Sequence, residues 1–504
     1  MGLAILRSRA QIGVAAPPVA IEIFLSGGLP KFNVVGMAET AVRESKDRVR
    51  GAIMSSGFKF PQERITVNLG PADMKKTGGR FDLAVALGIL SASHQVPDKD
   101  FEQFEFYGEL ALNGELRRIP GALPAAIKAA DAGRPIIVPA LNGAEAALAD
   151  GQVYTARSLL EVTAMLRDFK NSRHRKPLAP SGDMSGPVSG PDLAEVRGQH
   201  FAKRALEVAA AGAHNILFIG PPGTGKSMLA QRLPQLLPVM KNEEAIETAA
   251  VESVLGHAID PRTLYKRPFR APHHTASAVA LVGGGSDPRP GEISRAHNGV
   301  LFLDELAEFS RHVLEVLREP VESGRITISR ANGQADYPAS FQLVAAMNPC
   351  PCGYHGDKQG DCRCSAEVVQ RYRGKISGPL LDRIDIHIQV NRPSVELLRP
   401  DAPKGEPSKQ VAKRIRVARE IQFERAGKAN AALNSTELEK FVRADKASYA
   451  LLERATEKLA LSARAYQRIQ RVARTIADLA GDESVRASHM AEALSMRQLD
   501  RGNI

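Results

Sequence analysis

The run Gly220-Pro221-Pro222-Gly223-Thr224-Gly225-Lys226-Ser227 constrains this chain more than any other feature. It lies between the apolar stretch Asn215-Ile216-Leu217-Phe218-Ile219 and a segment opening Met228-Leu229-Ala230, and so reads as the turn from a buried strand into a helix. Glycines there let backbone N–H groups curl around phosphate oxygens, and the helix N-terminus adds its partial positive charge. Lys226 is spaced to reach β- and γ-phosphates, and Ser227 to offer a hydroxyl to Mg2+. Such a chain needs an α/β core around a parallel sheet, with ATP and Mg2+ as cofactors.

A second apolar run, Val300-Leu301-Phe302-Leu303, ends in Asp304-Glu305. Both runs are short and continuous, as expected of central strands covered on both faces. Asp304 is the expected magnesium ligand, through water, and Glu305 the group that orients and deprotonates the attacking water. The solvated end of a strand is the other reading of the pair. Downstream of a phosphate loop it predicts hydrolysis.

At 504 residues the chain is long enough for roughly two to four domains. Residues 1–170 alternate short β-type runs with Ala-rich amphipathic segments, helical over 38–56 and 121–132, which predicts an α/β domain. Residues 171–192 turn basic and then rich in Pro, Gly and Ser, the composition of a linker. The ATPase core then spans 193–395, a second Pro-rich break 396–410, and a helical C-terminal domain 411–504.

A balance of 67 Lys and Arg against 56 Asp and Glu leaves a net charge of +11, which favours an anionic partner, nucleic acid first. A merely basic soluble protein fits that charge as well. Trp is absent, so stacking of bases on exposed rings is not an obvious binding mode. No stretch approaches the ~20 apolar residues of a membrane span, and the first residues read as a strand rather than a secretory signal. A cytoplasmic protein without a membrane partner is expected.

All four cysteines fall in one short segment, as Cys350-Pro-Cys352 and Cys362-Arg-Cys364. A disulfide scaffold spreads its cysteines, whereas clustering points to metal. Four thiolates enclose one Zn2+ tetrahedrally and make a structural site, with His355 as a spare ligand; reduced thiols in a loop are the other reading. Residues 324–341 predict a β-hairpin turning around Arg330 to Gly333.

Three further motifs carry a family resemblance: Phe269-Arg-Ala-Pro-His-His-Thr, the stretch from Gly291 to Glu305, and Met347-Asn-Pro-Cys-Pro-Cys-Gly. They resemble the ComM/YifB group of competence-associated, magnesium-chelatase-like AAA+ proteins, across essentially all of the chain. The resemblance implies a sensor-1 role for Asn348, an arginine finger at Arg383 reaching the neighbouring subunit's γ-phosphate, and a sensor-2 role for Arg464, with Arg468 and Arg471 as close competitors. It also implies a helical lid and a homo-oligomer, by family expectation a hexamer. The hairpin before sensor 1 would point into the ring channel, with Arg330 at its tip following phosphates; a plain surface hairpin is the alternative.

The N-terminal part is similar to the Lon protease C-terminal (S5-like) fold, also seen in the recombination protein RadA, through Asn68–Ala84 and Gly108–Gly121. Where the protease needs a Ser nucleophile and a Lys base, this chain holds Phe81 and Pro124, so the domain is expected to bind or assemble rather than cleave. Lys75, Lys76 and Arg80 are its candidate DNA contacts. The implied function is ATP-driven branch migration on branched or single-stranded DNA during recombination of transforming DNA. The rival is a chelatase- or chaperone-like ATPase that remodels a protein partner.

Overall fold

The computed structural model describes residues 2–36, 44–97, 101–167, 169, 190–285, 288–330, 333–357, 360–399 and 401–501. The linker expected over 171–192 falls almost wholly outside these residues, as does the start of the helix expected over 38–56.

The N-terminal half is built on strands β1 (Gly2–Arg9), β2 (Pro18–Ser26), β3 (Lys31–Val35), β4 (Arg64–Gly70) and β5 (Glu105–Phe106), followed by the small hairpin β6 (Glu109–Leu110)–β7 (Leu116–Arg117), then β8 (Ile136–Pro139) and β9 (Val153–Ala156). Seven of them form one sheet in the order β3-β4-β2-β1-β5-β8-β9. β1, β2 and β4 pair antiparallel and alternate buried with exposed positions, so one face sends Leu6, Ile21, Ile23 and Val67 inward. Against that face lies helix Asp82–Ala92, buried at every position. A helix apolar all round belongs inside a core. The fit is close: a Cβ on Gly88 would lie 2.5 Å from Ile23 Cγ1. Phe81, just before this helix, is buried, and so is Pro124 in the first turn of helix Ala122–Asp131.

The second sheet comprises β10 (Ile216–Ile219), β11 (Phe269–Arg270), β14 (Val300–Leu303), β17 (Gln342–Met347) and β18 (Ile386–Gln389), parallel throughout, in the order β11-β14-β17-β10-β18. Two hairpins, β12 (Gly283–Gly284) with β13 (Arg289–Pro290) and β15 (Arg325–Arg330) with β16 (Gly333–Pro338), stand outside it. Alternate side chains of the central strands enter opposite cores. Ile216 and Phe218 join Leu206, Leu229 and the C-terminal helices, while Leu217 and Ile219 join Leu303, Ile293, Leu314 and the hairpin residues Ile326 and Ile328. Each fully buried aliphatic contributes about 1.5–3 kcal/mol, so this double-sided cover fixes the sheet.

The C-terminal helices Ser408–Ala426, Lys446–Leu459, Ala463–Ala480 and Ala487–Ser495 pack onto the first of those faces. Their polar anchor is Asp478, fully buried, which accepts from both Arg425 nitrogens at 2.7 Å, from Arg474 and from Asn430. The two halves of the molecule share a further apolar cluster, in which Leu123, Ala126 and Ile136 meet Met240, Ala249 and Leu264. Alongside it, Gly121 N–H donates to Ser253 O at 2.8 Å. No helix among the described residues is long and apolar enough to cross a membrane.

Candidate functional site

The strand order decides where chemistry can gather. β10 and β14 flank β17, so the loops leaving the C-terminal ends of all three converge, the usual ligand side of a parallel sheet. From β10 comes the glycine loop. Gly223 and Gly225 have φ of +76° and +92°, conformations that L side chains rarely adopt, and a Cβ on Gly220 would lie 2.2 Å from Val390 O. Helix Lys226–Leu236 follows at once.

Lys226 folds back onto the loop, its Nζ donating to Gly220 O at 2.6 Å, Pro221 O at 2.9 Å and Asn348 Oδ1 at 3.1 Å. Burial pushes its ammonium down to about 8, against the pull of Asp304 and Glu305 in the other direction. Thr224 Oγ1 caps Pro221 O, and Gln199 Nε2 holds the loop from outside through Thr224 O at 3.2 Å and Asn391 O at 2.6 Å. Gln199 had no signal in the sequence.

From β14 come Asp304, whose Oδ2 accepts from Ser227 Oγ at 2.6 Å, and Glu305, left half-exposed. β17 delivers Asn348 to Lys226. The structure thus brings Lys226, Ser227, Asp304, Glu305 and Asn348 together, with backbone N–H groups and a helix N-terminus where an anion would sit. Two carboxylates and a hydroxyl beside a phosphate cradle form a donor set of hard oxygens suited to Mg2+.

Arg383 and Arg464 lie elsewhere. Both line a cleft of about 960 Å3 whose floor includes Asn215, Gly299 and Gln342, residues at the N-terminal ends of β10, β14 and β17. A four-residue strand is ~13 Å long, and the loops beyond it add more, so these guanidiniums face away from the glycine loop of their own chain. Eight Lys and Arg side chains line the cleft against four carboxylates.

Within the cleft Arg383 pairs with Glu322 and donates to Pro379 O at 2.7 Å. Arg464 is exposed and makes no hydrogen bond or ion pair with the described residues. Its two competitors are engaged: Arg468 with Asp385, Arg471 with Leu433 O at 2.9 Å. Asp385 also accepts from Asn215 N–H at 3.0 Å. Burial would raise its carboxyl, but Arg468 and His214 outweigh burial and hold it well below the usual carboxylate range.

The cysteines cluster as expected. Cys350 Sγ lies 3.3 Å from Cys352 Sγ and 3.8 Å from Cys362 Sγ, Cys352 and Cys362 are 3.7 Å apart, and all four sulfurs lie within 4.8 Å of one another. His355 is outside this tetrad: its Nδ1 is 4.0 Å from Cys362 Sγ, and its backbone N–H donates to Cys350 Sγ instead. The cysteine loop leans on the glycine loop, since a Cβ on Gly353 would lie 2.7 Å from Pro222 Cδ.

Of the expected DNA contacts, Arg330 is exposed at the end of β15, paired with Gly333 across the hairpin, and the two tip residues lie outside the described ones. Lys75 is half-buried. Two others are corrected. Lys76 is fully buried, bound to Pro71 O, with its ammonium pushed down by burial. Arg80 is buried too, donating to Tyr107 Oη at 2.7 Å and Thr77 O at 3.0 Å. Both serve the loop's own fold, and neither presents a cation to a strand. His274, which carries no local signal of its own in the sequence, places its Nδ1 2.9 Å from Glu305 Oε2.

Comparisons with known proteins accord with this geometry. Three family descriptions match the chain: subunit ChlI of Mg-chelatase over residues 21–142, magnesium chelatase subunit ChlI over 192–398, and the ChlI C-terminal region over 405–497. Competence protein ComM of Haemophilus influenzae is 50% identical over 99% of this chain and 98% of its own length. Protein YifB of Escherichia coli is 46% identical over the same shares. The magnesium-chelatase 38 kDa subunit of Cereibacter sphaeroides is 26% identical over 39% of this chain and 57% of that subunit.

Proposed function

We propose, for a chain that belongs to the ComM/YifB family of magnesium-chelatase-like AAA+ ATPases, that it works as a homo-oligomeric ring, six-fold by family expectation, that drives branch migration of DNA. Lys226 holds the β- and γ-phosphates, Ser227 and Asp304 the Mg2+, Glu305 the lytic water, and Asn348 the geometry between them. Arg383 and Arg464 of an adjacent copy complete the site, stabilising charge as the γ-phosphoryl leaves. One observation carries this reading: the phosphate cradle and the arginine cleft occupy opposite ends of one sheet. Each end holds what the other lacks, so a full site needs two chains.

DNA as the cargo is supported by the +11 charge, by exposed Arg330 on the β15–β16 hairpin, and by the competence protein among the relatives. The C-terminal helices serve as the lid. The N-terminal half, read as a Lon-like domain, serves assembly or binding, with Phe81 and Pro124 where a protease would need its dyad. A structural zinc belongs at Cys350, Cys352, Cys362 and Cys364. Zn–S bonds of ~2.3 Å in a regular tetrahedron put the sulfurs ~3.8 Å apart, close to the separations above.

The test is ATP turnover and strand displacement on a Holliday junction, run beside Glu305→Gln and a non-hydrolysable analogue. Displacement by the wild type alone is the expected result. Brisk hydrolysis that ignores every DNA, together with ATP-dependent remodelling of a protein, would favour the chelatase-like reading that the magnesium-chelatase relative represents.

A further inference from the structure

The hairpin β15–β16 stands outside the core sheet, and a two-stranded hairpin is marginal on its own. Its position is therefore set by what packs on the apolar side chains Ile326, Ile328, Ala335 and Tyr337, all of them buried. Part of that cover comes from the core: Tyr337 Oη donates to Pro288 O at 2.7 Å, and a Cβ on Gly283 would lie 2.7 Å from Ile328 Cδ1. A further part comes from the N-terminal half. Ile12 and Val14 join the same apolar cluster. Between them Gly13 is buried against β16, where a Cβ would lie 3.0 Å from Asp336 O, 3.3 Å from Ala335 Cβ and 3.5 Å from Tyr337 Cζ. Its φ of +61° and its missing side chain let the two backbones approach this closely.

The turn that carries Gly13 is itself held. It joins β1 to β2, and Ile12 and Ala15 exchange both backbone hydrogen bonds at 3.0 Å. Behind it Arg9 grips both oxygens of Glu105, at 2.5 and 2.8 Å, and donates to Ala16 O at 2.9 Å, with both charged side chains buried. Gln11 Nε2 donates to Val254 O at 3.4 Å, at the end of helix Asn242–Val254. A fixed turn of the N-terminal half thus presses on a hairpin of the ATPase core. The place of contact matters, because Ala335 pairs with Ile328 and Gly333 with Arg330. Arg330 lies two residues beyond Ile328, ~7 Å along the strand, and is exposed.

We propose that residues 11–15 are a buttress for the β15–β16 hairpin, and that Ile12, Gly13 and Val14 are positioning residues that hold Arg330 where it meets the phosphates of a DNA strand. This rests on the reading of that hairpin as a DNA contact. The experiment measures binding of a fluorescent single-stranded oligonucleotide to the full chain, with a non-hydrolysable ATP analogue present. It compares wild type, Ile12→Ala/Val14→Ala, Arg330→Ala and the three changes combined. Arg330→Ala is expected to weaken binding about tenfold and Ile12→Ala/Val14→Ala about fivefold, because phosphate contacts dominate such affinities. Combined, the loss is expected to stay at about tenfold, since a cation that is absent cannot be misplaced, whereas independent sites would multiply to about fiftyfold. The exchange Ile12→Val/Val14→Ile, which keeps the summed volume, is expected to restore wild-type affinity. DNA-free ATP turnover by Ile12→Ala/Val14→Ala is expected within about twofold of wild type. A fall in that turnover matching the loss of affinity would make the two residues general structural supports and overturn the buttress. Wild-type affinity in Ile12→Ala/Val14→Ala, or a multiplied loss in the combination, overturns it too, while Arg330→Ala still binds weakly. Wild-type affinity in Arg330→Ala overturns the reading beneath it.

Discussion

The two ends of the core sheet are made in different ways. At the C-terminal end the site is local: eight consecutive residues shape the glycine loop, and Asp304, Glu305 and Asn348 each follow directly on the strand that delivers them. At the N-terminal end the arginine cleft draws on segments hundreds of residues apart, with Arg267, Arg383 and Arg464 meeting only after the sheet and the C-terminal helices have packed. A backbone-made half can be complete in one chain. The other half is cation-rich beyond its own carboxylates and points outward, which makes it a surface awaiting charge.

The largest effects should break the first end. Lys226→Ala is expected to abolish ATP binding, and Glu305→Gln to keep binding while lowering kcat at least ~100-fold. Equilibrium binding of a fluorescent nucleotide beside steady-state turnover separates the two. Equal loss of binding in both would mean that Glu305 shapes the pocket rather than activating water.

Breaking the second end should look different. Arg383→Ala is expected to lower kcat by ~10²–10³ with nucleotide binding intact. Mixed with Lys226→Ala it should regain activity at interfaces that join an intact loop to an intact arginine. Turnover measured across mixing ratios checks this; no recovery despite proven co-assembly would return Arg383 to the role of a partner for Glu322.

Asp385 sharpens the contrast, because it ties the floor of the cleft to the helix that bears Arg464 and Arg468. Asp385→Asn removes the counter-charge of half-buried Arg468 and leaves a neutral amide in the buried carboxylate site, and is expected to cost about 2 kcal/mol in unfolding free energy. The carboxyl sits below its unfolded value near 4, so its contribution is full above that pH and fades as pH falls further. Acid denaturation followed by circular dichroism should show that the wild type loses stability below pH ~4 more steeply than Asp385→Asn.

The smallest effect concerns the cysteines. Purified protein is expected to carry about one zinc per chain by elemental analysis. Stripping it should weaken nucleotide affinity by about threefold, through the contact of Gly353 with Pro222. No zinc with four freely reactive thiols would leave the cysteine loop as plain packing.

The same contrast explains what could be read from the sequence. Phosphate loop, acidic strand end and paired cysteines are written within a few residues, because backbone geometry there dictates residue type. Lys75, Lys76 and Arg80 read in the sequence as DNA contacts, but whether a cation faces water depends on what closes over it. Tyr107 receives Arg80, and the carbonyl of Pro71 takes Lys76. His274 was hidden for a similar reason: nothing within β11 or its neighbours in sequence says that Glu305, thirty residues on, will turn left-handed toward it. The cleft was readable only in its members. Which of Arg464, Arg468 and Arg471 stays unengaged follows from Asp385 and Leu433, and no local pattern announces those partners.

The apolar seam between helix Ala122–Asp131 and residues 240–264 has a consequence for how this protein could be divided. Because Leu123, Ala126, Met240 and Ala249 shelter one another, and Gly121 bonds across to Ser253, the N-terminal half is glued to the ATPase core rather than tethered to it. A truncated chain beginning near residue 190 would present that seam bare to water, inviting aggregation whatever its nucleotide site could do. Any tilt of helix Asn242–Val254 during turnover would also carry the N-terminal sheet with it, like a hand fixed to its wrist.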